Sequence, residues 1–346
     1  MARRLDILVP CYNEGVEVIK PLLGSIAIQQ RVDFDEIGVI VCCDGGDMTL
    51  TDEFMAQYPF EIEFHMCEHE GVSATRNKCL DFSTAEYVMW CDCDDMFSDA
   101  CGMFLIFKEM DAETSPQDMM AFGLTIPEKG FDALISNFRE ETKGPDGQFT
   151  FINHDQLDTT FVHGKVYRRQ YLIDNNIRYN KDLTIHEDSF FQILARECAK
   201  PYRAKWCPMP FYLWKWRNES ICRHDPDYIL KTMPNMIASN SAVVDEFIRR
   251  AMADKAAQYF AMHVFDVYYM LNKPEWLEVG NAEYRSKVEH DFANHFKRHK
   301  QLWDDMPSQQ KMMISQGVRQ RSVMEGMLME AITVEDWLKK ILALAE

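Results

Sequence analysis

Through the first 130 residues, short apolar runs alternate with segments whose apolar positions recur every three or four residues, an order that predicts strands separated by helices. The run LDILV at 5–9, ended by Pro10, and the run IGVIVCC at 37–43, ended by Asp44-Gly45-Gly46-Asp47, read as strands. Between them, within 15–30, Val16, Ile19, Leu22, Leu23, Ile26 and Ala27 fall at helical spacing. Strand, helix, strand is the unit of a parallel sheet. A third strand over Phe60 to His65 leads through a turn at Gly71 into a helix over Val72 to Phe82, followed by a strand over Tyr87 to Cys91. Residues 99–110 read as helix and Met120 to Ile126 as a further strand.

Beyond Pro127 the pattern lapses: Gly130, Gly144, Pro145 and Gly147 punctuate a polar stretch that reads as a mobile connection. Residues 160–222 return to mixed, aromatic-rich structure. From Asp227 the period turns helical, through Val243, Val244, Phe247 and Ile248, then Phe260, Val264 and Tyr268, and finally Val323, Met324, Met327 and Leu328. The expected organisation is an α/β domain over 1–225 and a mainly helical region over 226–346, suited to acceptor binding or to assembly of copies. Methionines and aromatics in that region read as core, since Met fills irregular gaps.

Composition narrows the classes. With 346 residues and 47% apolar content the chain can bury a large core, which excludes disorder. A net charge of −18 opposes nonspecific attraction to a phosphate backbone and so disfavours a nucleic-acid acceptor. Eleven cysteines follow no regular spacing in a chain far larger than a disulfide-stapled module; they predict reduced thiols and a cytoplasmic protein. The C-x-C of Cys91 and Cys93 lacks a second pair at zinc-ligand spacing. No stretch approaches the ~20 apolar residues that cross a bilayer, and the first residues do not form a signal peptide.

The candidate chemistry begins at EYVMWCDCDD, residues 86–95, where an apolar strand runs straight into three carboxylates. Asp92, Asp94 and Asp95 then stand at the carboxyl edge of a sheet, where open α/β sheets bind ligands. Neighbouring carboxylates repel unless a cation or donors compensate them. A hard divalent ion holding a diphosphate accounts for them, and a solvated turn is the plain alternative. Four other segments are placed to join such a site. In VPCYNE, Pro10 fixes a turn, Tyr12 offers a stacking face, and Glu14 can accept a ribose or base hydrogen bond. In CCDGGD, Asp44 ends its strand and can accept from a base N–H, or simply cap a glycine turn. In EGVSATRNKCLD, Arg76 supplies a planar donor fork beside Asn77, with a surface ion pair as the ordinary reading. Finally, His186-Glu187-Asp188 precedes an apolar run, where acids at a helix start are favoured by the helix dipole.

Together these segments resemble the inverting glycosyltransferases of family 2, which have the GT-A fold, a Rossmann-like mixed sheet of nucleotide-diphospho-sugar transferases. VPCYNE resembles the family's opening nucleotide motif, CCDGGD its second-strand acid, GVSATRN the segment before the metal motif, and CDCDD the DxD element. Residues 163–191 resemble the acceptor-side stretch that ends in a Glu-Asp pair, and WKWRNESI at 214–221 the loop that closes on the diphosphate. The likeness covers about residues 5–222; the DGGD in place of a Gly-Ser and the cysteines around Asp92 depart from it.

The resemblance implies transfer of a sugar from a nucleoside diphosphate, a UDP-sugar first, to a saccharide or other hydroxyl acceptor. It implies Mn²⁺ or Mg²⁺ on Asp94 and Asp92, with Asp92 alternatively on the ribose, and Asp188 as general base assisted by Glu187. Pro10, Tyr12, Glu14, Asp44, Arg76, Asn77 and Asp92 would line the nucleotide, and Arg217 and Ser220 a loop over the phosphates. His224 is a further candidate ligand, or a surface histidine. Two rival readings stand beside it: a nucleotidyltransferase acting on a sugar phosphate, and a noncatalytic saccharide-binding protein of the same fold. A homo-oligomer is compatible with the helical region.

Overall fold

The structure, a computed structural model, describes residues 3–111, 116–125, 138–143, 149–153, 162–200, 204–215, 228–273, 276, 282–324, 326 and 333–343. The chain divides into two compact units, Met1–Arg217 and Asn218–Glu346.

In the first unit the elements run β1 (Leu5–Cys11), α1 (Val16–Ala27), β2 (Ile37–Asp44), α2 (Asp52–Met55), β3 (Glu61–Cys67), α3 (Val72–Phe82), β4 (Tyr87–Trp90), β5 (Met96–Phe97) and α4 (Gly102–Asp111). There follow β6 (Met119–Thr125), β7 (Phe138–Lys143), β8 (Phe149–Asn153), β9 (Lys165–Arg168), α5 (Arg169–Asp174), α6 (Glu187–Glu197) and β10 (Ala204–Leu213). Eight strands form one sheet in the order β3-β2-β1-β4-β9-β6-β10-β5. The β3, β2, β1 and β4 strands are mutually parallel, and β9 is antiparallel to both β4 and β6.

The apolar runs are continuous because these strands are covered on both faces. All eight residues of β2 are buried, and Leu5, Ile7, Val9, Val39 and Val41 pack with Ile19, Leu22, Leu23 and Ile26 of α1 in one core. Each fully buried aliphatic side chain contributes about 1.5–3 kcal/mol relative to exposure. Beneath the sheet, the fully buried Asp6 is satisfied by Arg3, by the Ser83 hydroxyl and by the amides of Thr84 and Ala85.

Two local outcomes in this unit differ from the sequence expectation. Pro10 does not end the first strand, which continues to Cys11. The Cys91 amide donates to Leu8 O at 3.0 Å, so even-numbered residues of β1 face β4. Because β4 stops opposite Leu8, Pro10 meets no strand there and its missing N–H costs no ladder bond. The expected connection beyond Pro127 contains the antiparallel hairpin β7–β8, while residues 126–137 and 144–148 of it lie outside the described residues.

The second unit is helical, with α7 (Tyr228–Arg249), α8 (Ala253–Leu271), α9 (Ala282–Arg298), α10 (Lys300–Asp304), α11 (Ser308–Met324) and α12 (Val334–Ala343). Val243, Val244, Phe247, Phe260, Val264 and Tyr268 are core, as their spacing predicts. Ile248, Val323 and Met324 are instead exposed, the last two at the end of α11. Met327 and Leu328 lie outside the described residues. No described helix is long and apolar enough to cross a membrane.

Candidate active site

The carboxyl ends of β1, β2 and β4 gather the candidate groups along one edge. Asp44 closes β2 with its side chain almost wholly buried; Oδ1 accepts from the Glu70 amide at 2.8 Å and Oδ2 from the Gly71 amide at 2.9 Å. His69 Nδ1 lies 2.9 Å from the same Oδ2, and the His69 ring stacks on Tyr12. Burial works against its charge, but those amides, the Thr75 hydroxyl and His69 hold the Asp44 carboxyl below its ordinary range. Glu14 turns back on its own loop and accepts from the Tyr12 amide at 2.6 Å. Two glycines make this corner possible. Gly45 has φ +80°, and a Cβ on Gly46 would sit 1.7 Å from Tyr12 O.

Beyond β4, the Asp92–Asp95 turn closes on itself through the Asp95 amide and Asp92 O, 3.2 Å apart. The buried Asp95 accepts from the Tyr212 hydroxyl of β10 at 2.5 Å and from the Lys215 amide at 2.9 Å. Burial, together with repulsion from Asp92 and Asp94, pushes its carboxyl up to about 7. Asp92, about a third exposed, lies 3.1 Å from His163 Nε2. Burial opposes both charges, yet the pairing drives His163 up to about 9 and holds Asp92 well below the usual carboxylate range, with Arg76 contributing.

Arg76 is the hub. It is buried on α3, and its Nη1 lies 2.8 Å from Glu187 Oε1 and 2.5 Å from Asp188 Oδ1, with Nη2 3.5 Å from Asp92 Oδ1. Asp92 and Asp188, far apart in sequence, thus meet on one guanidinium. Trp90 Nε1 donates to Arg76 O, and the Trp90 ring packs on Tyr167, Tyr179 and Phe191 beneath the cluster. The Glu-Asp pair opens α6 after His186, a non-glycine residue at φ 64°, so a left-handed turn aims both acids at Arg76. Burial pushes Asp188 up to about 7 against the pull of Arg76, and the Glu187 charge adds to the rise.

One ligand atom each from Asp92, Asp95 and His163 lies within 4.8 Å of the others. Two carboxylate oxygens and an imidazole nitrogen suit a divalent ion such as Mn²⁺, with His163 neutral when it ligates. Asp94, on the same turn, stands outside that group. Arg76 and Asn77, read from sequence as nucleotide contacts, are both buried and bonded to protein groups; Asn77 is paired with the Tyr179 backbone. Arg217, Ser220 and His224 lie outside the described residues. His163, Tyr212 and His69 enter the cluster unannounced by the sequence reading, and Asp95 was named there as one of three carboxylates but not as a metal ligand. The one available sign was chemical: Asp95 and His163 lay inside the segments already singled out.

Residues 6–175 match the family Glycosyl transferase family 2, a span that contains Asp44, Arg76, Asp92 and His163. Over that span, just under half of its length, the chain is similar to that family. The chain is 24% identical over 199 residues to the poly(ribitol-phosphate) beta-N-acetylglucosaminyltransferase TarS of Staphylococcus aureus, in strains Mu50 and MW2. The match covers 56% of this chain and 32% of the relative, so the chain matches about a third of the length of these curated relatives. Among solved structures, S. aureus TarS 1-349 with UDP gives a TM-score of 0.63 at 19% identity, covering 84% of this chain and 80% of that one. The same protein with UDP-GlcNAc gives 0.63 at 18% identity, covering 84% and 81%. The chain therefore has the GT-A fold, extended by a helical region.

Proposed function

We propose that this glycosyltransferase moves a sugar from a UDP-sugar to an acceptor hydroxyl with inversion, aided by a divalent metal ion. The observation that carries the reading is the meeting of Asp92 and Asp188 on Arg76, which puts a donor-side acid next to a half-buried base candidate. The relative structures hold UDP and UDP-GlcNAc, which favours a uridine donor.

In this reading Tyr12 stacks on the base and Asp44 accepts its N–H, while Glu14 fixes the loop between them. Mn²⁺ or Mg²⁺ would be held by Asp92 with Asp95 and His163, Asp94 being the next carboxylate of the turn; when bound it neutralises charge on the leaving diphosphate. Asp188 takes the acceptor proton as the hydroxyl oxygen attacks the anomeric carbon opposite the diphosphate. Its carboxyl, pushed up to about 7, is matched to proton abstraction near neutral pH. Glu187 keeps Asp188 oriented through their shared guanidinium. Arg217 and Ser220 belong to the segment expected to cover the phosphates, and residues 226–346 serve acceptor binding or assembly. The acceptor is a saccharide or polyol hydroxyl, in keeping with the polymer in the relative's name. The described thiols, Cys11, Cys42, Cys43 and Cys91 among them, are free, in keeping with a cytoplasmic setting.

The test is incubation with UDP-GlcNAc, Mn²⁺ and poly(ribitol phosphate) as the acceptor, followed by NMR of the glycosidic product. Release of UDP with a β-configured product is expected from the α-linked donor. An α product overturns inversion, and release of pyrophosphate from UTP and a sugar phosphate would establish the nucleotidyltransferase instead.

A further inference from the structure

We propose that Arg76 is a positioning residue for the turn that carries Asp188 and is not a ligand of the diphosphate, an inference that rests on the transfer reading above. A phosphate ligand presents free N–H groups to the donor side. Arg76 is 4% exposed, and its Nη1 is already shared between Glu187 and Asp188. Its remaining terminal nitrogen faces Asp92, and its planar group lies 5.2 Å from the centre of the Tyr179 ring.

The neighbours of Arg76 on α3 do related work. Ser73, Arg76 and Asn77 are spaced to share one helix face. Ser73 Oγ donates to Leu183 O at 3.0 Å, and Asn77 exchanges two bonds of 2.9 Å with the Tyr179 backbone. These three side chains stitch α3 to residues 179–188, with Arg76 at the end that matters for chemistry. Glu187 and Asp188 are adjacent like charges at the mouth of a helix whose preceding residue is left-handed. Without a cation between them they repel and the turn opens. A guanidinium fork fixes two directions at once, which a lysine's point charge does not.

The test compares wild type with Arg76→Met, Arg76→Lys and the charge-compensated pair Arg76→Met with Glu187→Gln. The readouts are UDP affinity with Mn²⁺ by calorimetry, kcat and KM for hydrolysis of UDP-GlcNAc, and hydrogen exchange across residues 183–190. Arg76→Met should lower kcat about 100-fold while UDP affinity stays within about threefold, the pattern of a lost transition-state contribution. Exchange at 183–190 should rise. Arg76→Lys should recover part of kcat, and the compensated pair, which strands one carboxylate fewer, should show the same split if Arg76→Met fails to fold. A UDP affinity weakened about tenfold or more with kcat preserved would make Arg76 a phosphate ligand and overturn the proposal. Unchanged exchange at 183–190 would overturn it as well, and that measurement needs no ligand. Failure of the wild type to bind UDP would defeat the transfer reading instead.

Discussion

The ring of Tyr12 stacks on that of His69, with centroids 4.7 Å apart and planes 23° from parallel, while His69 Nδ1 lies 2.9 Å from Asp44 Oδ2. An imidazole therefore makes, within the chain, the stack and the carboxylate contact that a uracil base would make. Rings this close leave no room for a third between them, so a base that takes this face of Tyr12 must displace His69. We predict that His69→Ala binds UDP about fivefold more tightly, the equivalent of ~1 kcal/mol for a half-exposed stack and its hydrogen bond. Calorimetry decides; weaker binding would make His69 a wall of the site.

Asp188→Asn should leave UDP affinity nearly unchanged and depress transfer by about 10²–10⁴-fold, the usual worth of a positioned general base. Unaltered turnover in a donor-hydrolysis assay would remove Asp188 from that role.

The rate should also follow the Asp188 carboxyl. The working form is the carboxylate, so activity is full above a pH of about 7 and falls with increasing acidity below it. Glu187 raises that value by like-charge repulsion, so Glu187→Gln should move the acid limb to lower pH. A pH–rate profile of wild type and variant, with UDP release as the signal, tests the sign.

Metal dependence should centre on Asp92. Chelation should abolish activity and Mn²⁺ restore it, while Asp92→Asn should weaken Mn²⁺ binding measured by electron paramagnetic resonance. Full turnover after exhaustive chelation would contradict a metal-assisted departure of the diphosphate.

In the helical unit, His263 and His295 are buried and face one another, with ring centroids 4.8 Å apart. Phe292 packs on His263, and Arg298 lies beside His295 with His299 and Asp245 next to it. Burial pushes His263 down to about 3 and His295 down to about 2, and the neighbouring histidines add to the fall. Both folded values lie below the unfolded one of about 6.5, so their contribution is fully present above that pH and is lost as pH falls. The loss approaches about 1.4 kcal/mol per pH unit for each histidine. Thermal melts at pH 7.5 and 5.5 should show a smaller acid-induced fall for His263→Phe than for wild type. Equal falls would mean that His263 is not held neutral.

Much of the sheet was legible because β1, β2 and β4 are covered on both faces and so appear as unbroken apolar runs, and α3 began and ended within its expected bounds. The hairpin β7–β8 was not: FREETK carries no apolar period, and its pairing is a property of the partner strand. The acids were legible as residue types but not as partners. Nothing local to Asp92 announces His163, and nothing local to Arg76 announces Asp188, because contacts across such separations are made by topology. Side-chain direction was least legible of all. Arg76 and Asn77 sit on the expected helix, yet they reach across to residues 179–188 as struts.

The Lys215 amide on Asp95 has a practical corollary. The peptide leaving the sheet is fastened to the acidic turn just before the boundary at Arg217. Anyone trimming the protein to its amino-terminal half should cut no earlier than that residue: a shorter version would deprive a buried carboxylate of a donor and loosen the cradle where a cation is expected to rest.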